Sequence, residues 1–387
     1  MFVFSQQLLY NSASDLREPL SDMEELMKNK FYNYNSIRQL ALRINTVLPS
    51  FPIDGFTEEI MDKSWEALEL KARMRRITLH LGKYLPSDYA QALGILNEVI
   101  AGYPEGHNDN ALIYFPDFVE VFGQDKQHWE LSMAALESFT RISTAEFAVR
   151  PFIISNEKPM MEQMALWAGH ENEHVRRLAS EGCRPALPWG QGLPRFKKEP
   201  MPVICILELL KSDSSLYVRK SVANNLNDIS KTHPDLIAQI ARDWYGKNEY
   251  TNWIVKHGCR TLLKNGRRDV LDIFGFAAAD CVHVSGLSLS NSSVYIGESV
   301  SFSFEVQAEN ETKIRLEYRI DYVKSGGKRS RKIFQIAEIL LKAKQKKSFL
   351  KTHSFADLSS RKHYPGIHFI TLILNGEERG TLELEVI

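Results

Sequence analysis

The sequence predicts a mostly α-helical chain, a HEAT-like α-solenoid over residues 23–280 followed by a small all-β immunoglobulin-like sandwich over 281–387. Two observations carry this. The stretches HVRRLAS, YVRKSVA and IVKHGCR align on Val175, Val218 and Val255, at intervals of 43 and 37 residues. Helix pairs repeating at about 35–47 residues bury their apolar faces by stacking on neighbours, which is the logic of a solenoid. After Asp280 the apolar period drops to two: Val300, Phe302, Phe304 and Val306 alternate with small or polar residues, as do Ile314, Leu316, Tyr318, Ile320 and Tyr322.

In chain order, residues 1–22 read as a lead-in outside the fold, without the basic start and apolar run of a signal peptide. Helical spacing begins at Met23 and continues through Phe31–Val47, Thr57–Tyr84, Ser87–Ala101, Asp117–Phe122, His128–Arg141 and Thr144–Ile154. The helices Met160–Ala168, Met201–Leu210 and Asp235–Tyr245 each precede one of the three aligned stretches, completing the pairs. About seven short strands follow, the last two joined around NGEERG, a number and spacing that suit a two-sheet sandwich.

Composition narrows the function. Four cysteines, Cys183, Cys205, Cys259 and Cys281, lie far apart with no CxxC spacing, which disfavours zinc, iron–sulfur clusters and disulfides and suits a reducing cytosol. No stretch reaches the ~18 apolar residues of a membrane span. Formal net charge is zero, yet it is unevenly spread. Residues 1–140 carry 12 basic against 20 acidic side chains, residues 141–270 carry 20 against 14, and residues 282–387 carry 16 against 12. A positive middle and tail behind an acidic first third suits a polyanion partner, although chance clustering gives the same counts.

The most informative stretch is LWAGHENEHVRRLASEGCRPALPWG, Leu166–Gly190. Arg177, Glu181 and Arg184 stand four and then three residues apart, so they share a helix face. A carboxylate between two guanidinium groups stays ionised at neutral pH. Trp189, in a Pro-Trp-Gly turn, can fold back over the helix end. Together these make either a pocket for a cationic group on a polyanion or a salt-bridge cluster beside a Trp. Across the aligned repeats Arg177, Lys220 and His257 fall on equivalent positions, as do Glu181, Asn224 and Thr261, with Asp228 one turn beyond Asn224. Basic and polar rows in register run across three stacked helices. Trp167, Trp244 and Trp253 read as packing residues. In the β region, KSGGKRSRK at Lys324–Lys332 is either a phosphate-backbone finger or a solubilising hairpin tip.

LASEGCRPALPWG, with AEFAVRPF upstream and VRKSVANNLND downstream, resembles the AlkC branch of the AlkC/AlkD-like DNA alkylation-repair glycosylases, over roughly Leu26 to Gly266. The resemblance implies that Glu146, Glu181 and Asp228 are catalytic carboxylates and that Trp189 is an aromatic wall. It implies excision of N3-methylated purines and cytosine from double-stranded DNA without base flipping, and it favours the finger reading of the basic loop. From the residues alone, Glu146 is equally explained as an i,i+4 partner of Arg150. The remaining basic residues expected on DNA are Arg150, Arg177, Arg184, Arg219, Lys220, Lys256, His257 and Arg260, with Lys328, Arg329, Arg331 and Lys332 in the loop.

The chemistry fits that family. No Walker loop, GxGxxG, GxSxG or HExxH is present, so no metal or other cofactor is expected. Carboxylates and an indole suit cleavage of a base that already carries positive charge and leaves without a general acid. An anion beside the sugar stabilises the oxocarbenium-like state and can hold the attacking water. The expectation is a monomeric cytosolic DNA glycosylase. Its rival is a non-catalytic solenoid that binds DNA or a protein through the same groove.

Overall fold

The computed structural model describes residues 27–104, 107, 109–276, 278–358 and 361–387, so the expected lead-in at 1–22 lies outside the described residues. The chain divides into two compact units, one running to Ile237 and including Trp244–Gly258, the other taking Ala238–Asp243 and Cys259–Ile387.

The first unit is helical. It holds α1 (Tyr34–Val47), α2 (Ile53–Ile60), α3 (Leu70–Tyr84), α4 (Tyr89–Ala101), α5 (Tyr114–Phe122), α6 (Trp129–Thr140), α7 (Val149–Ser155) and α8 (Glu157–Ala168). There follow α9 (Glu173–Glu181), α10 (Pro194–Lys198), α11 (Met201–Leu210), α12 (Leu216–Ile229), α13 (Pro234–Trp244), which is divided between the units, and α14 (Glu249–Gly258). Helices α9, α12 and α14, which carry the three aligned stretches, stack as one layer, and α8 and α11 stack as the other. Val175, Leu178, Val218, Val222 and Val255 fill the seam, each at most 1% exposed.

The repeat also recurs in the helix starts. Asn172, Ser215 and Asn248 precede the three helices, and each side chain accepts a hydrogen bond from the amide two residues on. Such a cap contributes about 1 kcal/mol. The expected helix over 57–84 is broken: α2 ends at Ile60 and the Asp62 carboxylate accepts the Ser64 amide at 2.8 Å, closing a turn. The helix expected from Thr144 starts only at Val149, so Glu146 stands in the turn before α7.

The second unit opens with α15 (Arg260–Lys264) and α16 (Arg268–Ile273), followed by β1 (Val282–Leu289), β2 (Ser293–Val294), β3 (Ser299–Ala308), β4 (Thr312–Val323), β5 (Arg329–Leu341), β6 (Lys346–Ser354), β7 (Gly366–Leu374) and β8 (Glu377–Val386). One sheet has the order β1-β3-β6 and the other β2-β8-β7-β4-β5. The alternating residues of β3 and β4 meet between them, with Val306, Ile314, Leu316 and Ile320 fully buried. The turn from β7 to β8 is tighter than NGEERG suggested. It is Asn375-Gly376, both at positive φ (48° and 85°), the requirement of a two-residue hairpin.

Helices α15 and α16, which precede the boundary expected at 280, pack on the sandwich. A Cβ on Gly376 would lie 2.6 Å from the Gly266 Cα and 3.0 Å from a Leu271 methyl carbon, so this contact admits no side chain. Lys313 Nζ donates to the Phe274 carbonyl at 2.8 Å and stands 4.9 Å from the Phe276 ring centroid.

Candidate active site

Three stacked repeats bring together residues that are 35 to 47 positions apart in sequence, and the result is an alternating row of charges. Arg177 Nη1 donates to Glu146 Oε2 at 2.9 Å, and Arg177 Nη2 stands 3.6 Å from Glu181 Oε1. On the other side of Glu181, Arg184 Nη1 donates to the same oxygen at 2.5 Å. Arg184 then grips Asp228 Oδ2 through Nε at 2.9 Å and Nη2 at 2.8 Å. Lys231 Nζ ends the row on Asp228 Oδ1 at 3.2 Å. Turn, α9 and α12 each supply one carboxylate, and every residue of the row from Glu146 to Asp228 is buried, at most 8% exposed.

Burial by itself would raise the Glu181 carboxyl, but Arg184, Arg177 and the hydroxyl of Ser221 outweigh it, so the group is held below its ordinary value. Arg184 is likewise raised despite burial, by Glu181 and Asp228. Thr144 Oγ1 donates to Glu146 Oε2 at 3.0 Å, and Arg177 stacks 4.7 Å from the Tyr217 ring centroid. The Glu181 anion therefore persists in a place poor in water, where its field on a neighbouring charge is strong.

Arg150 holds the loop that follows. Fully buried, it donates to the carbonyls of Gly182 and Arg184, both at 2.9 Å, and to that of Gln191. Burial pushes its guanidinium down to about 10. Both ends of the Gly182–Gln191 loop are thereby fixed. Gly182 itself cannot change, since a Cβ there would meet the Val149 methyl at 2.6 Å. Within this loop Trp189 adopts φ 61°, a left-handed conformation that costs an aromatic residue roughly 1–2 kcal/mol. Strain of that kind persists only where the surroundings impose it. Lys71, on α3, donates to the Trp189 carbonyl and lies 4.9 Å from the ring centroid of Phe147, next to Glu146.

Several residues expected on DNA are buried and engaged within the protein. Arg150 faces backbone carbonyls, and the expected Glu146–Arg150 pair gives way to Glu146–Arg177. Arg177 and Arg184, 3% and 7% exposed, pair with the carboxylates. Arg219 donates to the carbonyls of Asp213 and Ser214 and stacks 4.2 Å from the Tyr250 ring centroid. Arg176 does the same one repeat earlier, on the carbonyls of His170 and Glu171. The first basic position of each aligned stretch thus brackets the preceding turn, a row to which Lys256 belongs by alignment. The second position holds Arg177, Lys220 and His257. Lys220 there is half-buried and His257 lies parallel to Trp253 at 5.0 Å. Arg260 starts α15, in the second unit.

The basic loop forms the β4–β5 hairpin tip. Lys328 is exposed there, whereas Arg329 donates to the Ile367 carbonyl at 2.6 Å and Arg331 pairs with Asp321 at 3.0 Å. Lys332 Nζ lies 5.4 Å from the Phe334 ring centroid. Of the packing tryptophans, Trp167 is 1% exposed and donates to Glu137 at 3.2 Å, and Trp244 is 5% exposed. Among the described residues, no helix is long and apolar enough to cross a membrane. Sequence reasoning missed Lys71, Lys231, Thr144 and Tyr217. Only Lys231 had a visible signal, its i+3 spacing from Asp228.

Comparison with known proteins places these features in context. A family model described as "Uncharacterised protein YhaZ, C-terminal Ig-like domain" matches residues 283–387. The uncharacterized protein YhaZ of Bacillus subtilis (strain 168) is 46% identical over 367 residues, covering 95% of this chain and 100% of that protein. The structure of the Pseudomonas fluorescens alkylpurine DNA glycosylase AlkC, bound to DNA containing an abasic site analog, is similar at a TM-score of 0.88 and 35% identity, covering 93% of this chain and 99% of that one.

Proposed function

The chain belongs to the family of the alkylpurine DNA glycosylase AlkC, and from that premise we propose that it hydrolyses the N-glycosidic bond of positively charged alkylated bases, 3-methyladenine and 3-methylcytosine, in duplex DNA. The observation that carries the reading is the row Glu146–Arg177–Glu181–Arg184–Asp228, three buried carboxylates bridged by two guanidinium groups. In this mechanism the methylated base needs no proton, because its own charge makes it a leaving group. As the bond stretches, positive charge moves onto the sugar. Anions already fixed and desolvated stabilise that charge without reorganising, the effect from which a preorganised site derives most of its rate. Asp228 and Glu181 would serve this role and position the attacking water, with Glu146 orienting Arg177 and so Glu181.

Trp189 supplies an indole face, and such faces attract cations by about 0.5–2 kcal/mol. Its strained turn supports a placement required by function rather than by local preference. Carboxylates that act on the sugar from outside the duplex do not require the base to be extruded, so catalysis without flipping fits this reading. The protein would work as a monomer in the cytosol, with Lys220 and His257 facing phosphates and the hairpin tip at Lys328 as an auxiliary contact.

The test is single-turnover incubation with duplex treated with a methylating agent, followed by chromatography of the free bases. Release of 3-methyladenine or 3-methylcytosine is expected, and hypoxanthine, which is neutral, should stay in a matching duplex. Tight duplex binding with no base released would replace this reading by a non-catalytic DNA-binding solenoid.

A further inference from the structure

Lys231 differs from the other cations of the charged row and from Arg150 beside it. The others are guanidinium groups locked in place: Arg177 and Arg184 between carboxylates, Arg150 on carbonyls. Lys231 lies just past the end of α12, its side chain 53% exposed, with one polar contact to the row. That contact is to Asp228 Oδ1. Arg184 takes the other oxygen, Oδ2, through two nitrogens. Among the described residues, Oδ1 is therefore held only by a solvent-facing ammonium.

The charge count gives this arrangement a consequence. Glu146, Glu181 and Asp228 are three anions; Arg177, Arg184, Arg150 and Lys231 are four cations. With Lys231 in place the cluster carries a surplus positive charge, which repels a cationic ligand. Without it the charges balance and Oδ1 is open. Removing a locked guanidinium instead would orphan buried carboxylates, at several kcal/mol. Withdrawing Lys231 returns an already hydrated ammonium to water and costs little, as for exposed ion pairs generally.

We propose that Lys231 is an exchangeable counter-ion and a specificity-determining residue. It neutralises Asp228 in the free protein and leaves when a cationic lesion binds, giving Oδ1 to the positive charge of the substrate while its ammonium moves to a backbone phosphate. A neutral lesion offers Asp228 no replacement and leaves Lys231 on Oδ1, so Lys231 competes with a cationic lesion alone and sets how far the site prefers it. This inference rests on the glycosylase reading.

The experiment compares two duplexes of one sequence, one holding a pyrrolidine abasic mimic that is protonated at neutral pH, the other its neutral tetrahydrofuran counterpart. The ratio of the two affinities cancels any lost phosphate contact, because such contacts are common to both duplexes. Lys231→Met should raise the pyrrolidine-to-tetrahydrofuran ratio about three- to tenfold, since an exposed ammonium on a buried carboxylate lies between the surface and interior limits. Lys220→Met, which removes a cation with no carboxylate partner among the described residues, should weaken both duplexes and leave the ratio within about twofold. A ratio in Lys231→Met equal to or below that of the natural protein overturns the proposal. Failure of the glycosylase reading is separately visible, as the absence of base release by the natural protein.

Discussion

Replacing Glu181 by Gln preserves the side chain's size and removes the central charge of the row. In the folded protein Arg177 keeps Glu146 at 2.9 Å and Arg184 keeps Asp228 at 2.9 and 2.8 Å, so neither guanidinium is left alone. Orphaning a buried charge costs roughly 3–5 kcal/mol; with one partner retained on each side, Glu181→Gln should cost about 2–3 kcal/mol in urea unfolding. The catalytic effect should be larger than this loss explains. An anion at the centre of the row contributes transition-state stabilisation of the oxyanion-hole order, so the single-turnover rate should fall about 100- to 1,000-fold. Duplex affinity should change little, because Glu181 is 3% exposed and contributes no phosphate contact. The assay is base release at saturating protein, below the unfolding transition, beside Asp228→Asn as a second neutralisation. A rate within about threefold of the natural protein in both variants, at undiminished folding, would refute the reasoning and leave the row a structural ion-pair chain.

Arg150→Lys should lower the single-turnover rate at least about tenfold without changing the salt dependence of binding, since one ammonium cannot reproduce three diverging bonds to carbonyls. Neutralising Lys328, Arg329, Arg331 and Lys332 together should reduce the slope of log affinity against log salt by about 1–2; four free contacts would give about 3.6, but Arg329 and Arg331 are partly engaged within the sandwich. Asp117, raised to about 6 by burial, binds its proton more tightly in the folded than in the unfolded chain, so it lowers stability as pH rises from about 4 to 6 and the deficit persists above. Asp117→Asn should therefore gain about 2–3 kcal/mol relative to the natural protein between pH 4.5 and pH 7 in urea unfolding, with Arg75 still paired to Glu120 at 2.5 Å. A fragment ending at residue 280 should be less soluble than the whole chain by light scattering, because Leu271, Phe274 and Phe276, now at most 2% exposed, lose the sandwich surface beside them.

The architecture was legible in the sequence because both of its parts are periodic. Spacing at three and four residues, a repeat of about 40, and a later switch to alternation each reflect one face of an element seeking cover, and such patterns survive without knowledge of the partner. The stacking of Val175, Val218 and Val255 was therefore readable, as was the shared face of Arg177, Glu181 and Arg184. The motifs also pointed to Glu146, Asp228 and Trp189 through family likeness. What sequence could not decide was direction. Arg150, Arg177, Arg184 and Arg219 look like phosphate ligands when counted as charges, yet tertiary packing turns them onto carbonyls, carboxylates and aromatic rings. The packing of α15 and α16 on the sandwich depended on a backbone contact between Gly266 and Gly376, 110 residues apart. Lys71 meets Trp189 across 118 residues. Local periodicity determines which face of a helix is apolar, because that depends on neighbours along the chain. Which charge meets which depends on distances across the chain, and only the packed repeats set those.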